Sequence, residues 1–277
     1  MDLLAVVWNV SPYIHQFSST YAFRWYGVLF ALAFVSAYYV SYFLLRKENF
    51  PDSLLNKMAI AVVVGGILGA RIGHCLFYEP TYYLHNPLKI FCIWEGGMAS
   101  HGGAMGVLVA YLFVARNGIS YRKILSRTML VTPLAAVFFR MGNLMNSEIY
   151  GVPTNLPWGF VFIQSQEVLS GVEVAVPRHP TQIYEMLCYL SLFIFFMIYC
   201  HKSYKRHKEL SDWFIIGIFF IGIFGTRFCI EFLKVPQVSF EKSLLLNMGQ
   251  ILSIPFIVFG SWSLYKAKAG NNTVHNV

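Results

Sequence analysis

Long apolar stretches, most of them about the length needed to cross a bilayer, alternate with short polar connections along nearly the whole chain. A hydrocarbon core of ~30 Å takes about 20 predominantly apolar helical residues, and by that measure the pattern predicts about seven spans. They run from Trp25 to Leu45, Met58 to Phe77, Met98 to Ala115, Thr128 to Phe139, Ile183 to Cys200, Trp213 to Leu233 and Leu244 to Tyr265. The fourth is short and contains Pro133, so it either begins earlier, near Ile124, or is broken. The expected fold class is an all-α polytopic membrane protein, with residues 1–277 forming a single integral membrane domain. The longest connection, 141–178, mixes Gly, Pro and polar residues with β-prone pieces such as WGFVFI, and reads as a small extracytoplasmic cap inserted within that domain.

Sidedness follows from basic residues in short loops. Arg46, Lys47 and Lys57, then Arg116, Arg122, Lys123 and Arg127, then Lys202, Lys205, Arg206 and Lys208, and finally Lys266 and Lys268 follow alternate spans, which puts the amino terminus outside and the carboxyl terminus in the cytoplasm. A multi-pass membrane protein is expected. Trp25, Tyr26, Tyr82, Tyr83, Trp94, Trp213, Trp262 and Tyr265 fall near span ends, as rings at headgroup level do. The amino terminus lacks the basic region and small-residue cleavage site of a removable signal peptide and reads as an amphipathic leading segment. The polar tail after Ala269 reads as disordered.

Composition agrees with membrane residence: 57% of residues are hydrophobic and 12% charged, outside the range of soluble domains. The net charge of +8 is explained by topology, since no basic stripe suited to nucleic acid appears in a soluble segment. Cys75, Cys92, Cys188, Cys200 and Cys229 include no CxxC pair and read as small apolar packing residues. No acidic pair has metal-ligand spacing, and Walker, HExxH and GxSxG motifs are absent, which argues against metal-dependent phosphotransfer, zinc proteolysis and serine hydrolysis.

The informative residues are polar ones near membrane depth, which are expensive to desolvate and mark sites by default. Given the predicted topology, Tyr26, Arg71, His74, His101, Arg140, His179, Gln182, Glu185, Arg227 and Glu231 all lie in the outer half of the membrane. Arg140, Asn143, Asn146 and Glu148 form RxGNxxNxE, which reads as an anion clamp or as a buried ion pair fixing a loop. His101, between glycines in GGMASHGG, reads as a proton acceptor or as a packing residue at a close helix crossing. Arg227 and Glu231, spaced i, i+4, either serve a ligand or neutralise each other. Arg71 and His74 share a helix face behind GGILGAR and read as structural, and His179 in HPTQIYE as a cap or positioning residue. Lys234 and Lys242 read as headgroup contacts.

These residues, taken in order, resemble the bacterial phosphatidylglycerol:prolipoprotein diacylglyceryl transferase family over most of the chain. The family pattern GRxGNFxNxExxG is similar to Phe139 to Gly151, HGG to His101 to Gly103, and HPxQLYE to His179 to Glu185. RWYG at Arg24 to Gly27, GAR at Gly69 to Arg71, Arg227 to Pro236 and MGQILS at Met248 to Ser253 extend the likeness. Departures fall at Phe139, Leu144, Lys234, Ile223 and Thr128, where the family tends to carry other residues.

The resemblance implies transfer of a diacylglyceryl group from phosphatidylglycerol to the lipobox cysteine next to a prolipoprotein signal peptide, with release of glycerol phosphate and no cofactor or metal. Under it, Arg140 and Arg227 take the phosphate. Asn143, Asn146 and Glu148 orient the headgroup and Arg140, Gly151 closes the signature, His101 is the candidate base and Tyr26 its possible hydrogen-bond partner; Arg71, His179 and Glu231 support. The expected partners are phosphatidylglycerol, the prolipoprotein and surrounding membrane lipids, with no nucleic acid. The main alternative, a transporter or channel for an organic anion, predicts polar residues in both halves of several spans.

Overall fold

The computed structural model describes residues 5–18, 22–93, 96–116, 118–235 and 246–274; Trp94, Lys242 and Leu244 lie outside them. The chain falls into two compact units, one built from residues 1–39 and 129–277, the other from 40–128. Among the described residues, six helices are long and apolar enough to cross a membrane: α1 (Trp25–Lys47), α2 (Asp52–Phe77), α5 (Tyr121–Met145), α7 (Thr181–Lys205), α8 (Asp212–Ile230, continued by a 3-10 turn over Glu231–Leu233) and α9 (Met248–Val274). Between α2 and α5 come short α3 (Pro80–His85), a 3-10 turn (Pro87–Phe91) and α4 (Ser100–Ala115), apolar but shorter than a full span. Together they make an all-α polytopic membrane protein. The last helix continues past Ala269 to Val274, where the sequence suggests disorder.

For the fourth predicted span the earlier start holds and the break does not: α5 begins at Tyr121, close to Ile124, and passes through Pro133, but it runs on beyond Phe139 and carries Arg140 and Asn143 within its final turns. Proline removes one backbone donor, and a membrane helix packed among neighbours tolerates that loss because adjacent groups re-satisfy the freed carbonyl. The apolar pattern stops at Arg140 because the end of the helix faces protein polar groups rather than lipid.

In the second unit α2 and α4 cross at backbone contact distance. A Cβ added at Gly65 would lie 2.7 Å from the Gly106 carbonyl oxygen, and one at Gly73 2.8 Å from Gly102 Cα. Small residues permit this approach, which replaces the hydrophobic driving force missing between helices in lipid. Leu54, Leu55, Met58, Tyr111, Val114 and Ile124 form a buried apolar cluster beside it. Arg127 is buried there in a two-pronged pair with Glu48, Nε and Nη2 each 2.7 Å from a carboxylate oxygen.

In the first unit α8 packs on α9, with Phe224 stacked on Phe256 at 4.2 Å between ring centroids. Asn247 and Gln250 cap α9 reciprocally: each side-chain oxygen accepts the other's backbone N–H, at 3.1 and 3.0 Å. The segment after α5 holds β4 (Phe160–Phe162) and short α6 (Gln166–Leu169). The amino-terminal segment, read as amphipathic, forms strand β1 (Val6–Trp8), which pairs in parallel with β4 in register Val6 to Phe160. Strands β2 (Tyr13–Gln16) and β3 (Ala22–Arg24) form an antiparallel pair leading into α1.

Candidate active site

In the first unit, the end of α5, the start of α7 and the end of α8 hold a connected group of charges. Arg140 donates through Nη1 to Asn143 Oδ1 at 3.1 Å, one helical turn on. Asn143 Nδ2 donates to Glu148 Oε1 at 2.7 Å, and Asn146 Nδ2 reaches the same oxygen at 3.5 Å. The turn that brings Glu148 back over the helix end is strained: Ser147 and Ile149, on either side of it, have φ of 53° and 60°. A β-branched residue in the left-handed region costs on the order of 1–3 kcal/mol, and such strain persists where surrounding bonds enforce it. Here Gln182 Nε2 donates to the Glu148 carbonyl at 2.7 Å and Thr181 Oγ1 to that of Ile149 at 2.9 Å, so α7 holds the turn. The motif thus fixes a loop, as one of its two sequence readings expects, and ties Arg140 to that loop through Asn143.

Glu185 stands at the centre. Its side chain is 0% exposed; Oε2 lies 2.8 Å from Arg140 Nε as an ion pair without an aligned hydrogen bond, and Oε1 accepts from Lys234 Nζ at 3.0 Å. Lys234 also lies 3.5 Å from Glu231 Oε2. The expectation that Lys234 is a headgroup contact is therefore corrected: its ammonium is buried between two carboxylates, which offset the cost of taking it from water.

Arg227 and Glu231 do not pair with each other. Glu231 turns to Lys234, and its carboxylate lies over the first turn of α9, where a Cβ on Gly249 would be 2.7 Å from Oε1. Arg227 keeps its Nε buried without a hydrogen-bond partner among the described residues. Tyr189, buried one helical turn past Glu185 on α7, lies within electrostatic range of both guanidiniums. Among the described residues Asn146 Oδ1 and Gln182 Oε1 are also buried without a partner; both are acceptors, which suit the hydroxyl groups of a polar ligand.

Tyr26, at the start of α1, packs its ring on Gly142; a Cβ there would be 2.7 Å from Tyr26 Cδ2. Its hydroxyl feels the charges of Glu148 and Arg140, so it belongs to this cluster. Gly151 is tied by backbone to the same region, its N–H donating to the His179 carbonyl at 2.9 Å, and it bridges to Lys234. His179 Nδ1 lies 3.2 Å from the Tyr184 hydroxyl, which also accepts from Trp158 Nε1 at 3.0 Å, in keeping with a positioning role.

His101 and Arg71 belong to the second unit. Arg71 donates to the carbonyls of Lys89, Ile90, Cys92, Gly96 and Gly97 and lies 5.0 Å over the Tyr83 ring. It organises the loop before α4, as its structural reading expects, and Tyr83 is a buried wall of that arrangement rather than an interface anchor. The glycines around His101 serve the helix crossing, whereas the imidazole itself is exposed and lines an apolar groove of about 1210 Å³ along α2 and α4. The close helix crossing of its packing reading is therefore present beside His101, while the imidazole itself is free of that crossing. Cys75 and Cys200 are buried, but Cys188 and Cys229 are exposed, so only some of the cysteines serve as packing residues.

Sequence reasoning missed the parts played by Glu185, Lys234 and Tyr189. A carboxylate inside an apolar span needs a cation, and that signal was present at Glu185.

Buried charges and orphaned polar atoms at the ends of its helices make this, by class, a polytopic helical membrane protein with a polar site at membrane depth. The family model described as prolipoprotein diacylglyceryl transferase matches residues 12–266, and the chain belongs to that family. It is 42% identical over 274 residues to the phosphatidylglycerol–prolipoprotein diacylglyceryl transferase of Porphyromonas gingivalis, covering 95% of this chain and 94% of that protein. Proteins of the same name from Tolumonas auensis, 38% identical with 91% and 94% covered, and Chloroherpeton thalassium, 36% identical with 95% and 94% covered, are similarly related.

Proposed function

We propose that the protein transfers the diacylglyceryl group of phosphatidylglycerol to the lipobox cysteine of a prolipoprotein, beside its signal peptide. The sulfur–carbon bond of a thioether forms, the carbon–oxygen bond to phosphate breaks, and glycerol phosphate leaves with the electron pair. One observation carries the reading: in a chain of this family, Arg140 is fixed by Asn143 and Glu185, while Arg227 on another helix keeps a buried Nε that no described residue satisfies.

The leaving phosphate gains negative charge as the bond breaks, and fixed guanidiniums stabilise that charge more in the transition state than in the ground state. Arg140 and Arg227 take the phosphate oxygens. Asn143, Asn146 and Glu148 hold Arg140 and meet the headgroup hydroxyls, with Tyr26 and Gly151 beside them, while His179 and Glu231 support the frame. A thiol with a pKa of about 8.5 must lose its proton before attacking carbon. His101 takes it, being an exposed imidazole with room for a substrate. Arg71 acts only through its loop. The site faces the outer leaflet of the bacterial inner membrane, with the amino terminus and the 141–178 cap outside and the carboxyl terminus inside. Organic-anion transport has no support among the relatives, which carry a transferase name.

The test supplies purified protein with labelled phosphatidylglycerol and a lipobox peptide. Diacylglyceryl-peptide is the expected product, and Arg140→Ala and Arg227→Ala lose it. A wild type that forms none rejects the transferase reading, and full turnover by both variants rejects the clamp.

A further inference from the structure

We infer that Glu185 and Lys234 are positioning residues that set how much of the Arg140 guanidinium is offered to substrate; this rests on the transferase reading. Glu185 lies at the start of α7, where a carboxylate usually serves the free N–H groups of the helix. Its side chain does something else, joining two cations from different elements while fully buried. A carboxylate facing a guanidinium ordinarily takes two parallel N–H bonds in a fork. Here Oε2 meets only Arg140 Nε, because Oε1 is drawn to Lys234 Nζ at 3.0 Å. Asn143 engages a further donor. A guanidinium has five N–H groups, so some remain for a ligand in a plane already fixed.

Lys234 thus competes for the carboxylate and prevents it from closing over Arg140, while Glu185 holds the Arg140 guanidinium in its present plane. Removing either residue has its own signature. Without the Glu185 charge, Arg140 keeps its own charge but loses its orientation, so the chemical step slows. Without Lys234, Glu185 is free to close a fork on Arg140, and the anionic lipid must compete with it.

The experiment measures turnover of phosphatidylglycerol with a lipobox peptide by the full chain in detergent. Glu185→Gln is expected to lower kcat/KM about tenfold or more in the wild-type background and less than about twofold when Arg140 is already lysine, because two groups acting as one do not add. Lys234→Met is expected to raise the lipid KM about fivefold or more while kcat stays within about twofold, and Lys234→Arg restores it. Equal losses from Glu185→Gln in both backgrounds, or no loss, overturn the inference, as does an unchanged KM in Lys234→Met. If Glu185→Gln does not fold, Glu185→Asp in the same two backgrounds decides by the same criterion. A wild type without turnover rejects the transferase reading instead. Binding of phosphatidylglycerol micelles to the same variants then reads the pair independently: weaker binding by Lys234→Met supports it, and equal binding overturns it.

Discussion

Replacing Arg140 with lysine separates charge from geometry. Its Nε lies 2.8 Å from Glu185 and its Nη1 3.1 Å from Asn143 Oδ1, a spread that one ammonium nitrogen cannot cover. The new lysine will be held by the fully buried carboxylate of Glu185 and withdrawn from the phosphate. A hydrogen bond to a charged group is worth about 1.5–3 kcal/mol, and phosphate met by a fork receives two. Allowing for part of the charge attraction to survive, the transition state loses ~3–4 kcal/mol, or two to three orders of magnitude in kcat/KM at about 1.4 kcal/mol per tenfold. Stability should change little, because Glu185 keeps a cationic partner. The assay pairs initial rates of diacylglyceryl-peptide formation with thermal unfolding in the same detergent. Activity within about threefold of wild type would refute the fork argument, and so would a rate loss explained by a falling melting temperature.

Other expectations follow from particular contacts. His101→Gln should lower turnover by about 10²–10⁴-fold with an unchanged melting temperature, because the imidazole is exposed; near-normal turnover across pH would remove it as the base. Arg127→Met takes the two-pronged partner from half-buried Glu48 and should cost about 3–5 kcal/mol, while Arg127→Met with Glu48→Leu should recover much of it, as read by thermal unfolding. Gly106→Leu drives a side chain into α2, where even a Cβ meets Gly69 Cα at 2.8 Å, and should lower stability by several kcal/mol or prevent folding. Tyr150 is pushed up to about 12, chiefly by burial, with Glu167 and Glu173 adding to the rise. Its neutral form is the one the fold prefers, so this contribution is complete below the ordinary tyrosine value near 10 and is lost as pH rises towards 12. Tyr150→Phe should remove that alkaline decline, seen by ultraviolet titration of phenolate formation against unfolding.

How much was legible depended on the range of the signal. Spans were readable because apolar length is a local property, and five of the long helices lie close to where the pattern puts them. The glycines of GGILGAR and HGG announced a helix crossing for the same reason. The end of α5 was not readable in this way: Arg140 and Asn143 ended the apolar run, although the helix continues, because burial by protein and exposure to water give the same polar letters. The pairing of β1 with β4 was also hidden, since strands of three residues carry no usable periodicity. Lys234 and Glu185 are 49 positions apart, and nothing local joins them. What sequence did supply was the demand for a partner at each buried charge. It could not say which partner.

That demand explains the order of charges in the site. Arg140, Glu185, Lys234 and Glu231 alternate in sign through contacts of 2.8, 3.0 and 3.5 Å, so each member offsets the desolvation of the next. Arg227 stands beside this chain, near Tyr189, with a buried donor that no described residue satisfies. A site built only for stability would close the series, because truncating a buried pair is costly and a further carboxylate would complete it. Leaving one cation open makes sense if its counter-ion arrives with the substrate. In that case Arg227→Gln should harm lipid binding more than it harms folding, with a raised KM for phosphatidylglycerol and a melting temperature at or above that of wild type. A clear loss of stability with unchanged KM would mean that Arg227 belongs to the scaffold, and the phosphate would then rest on Arg140 alone.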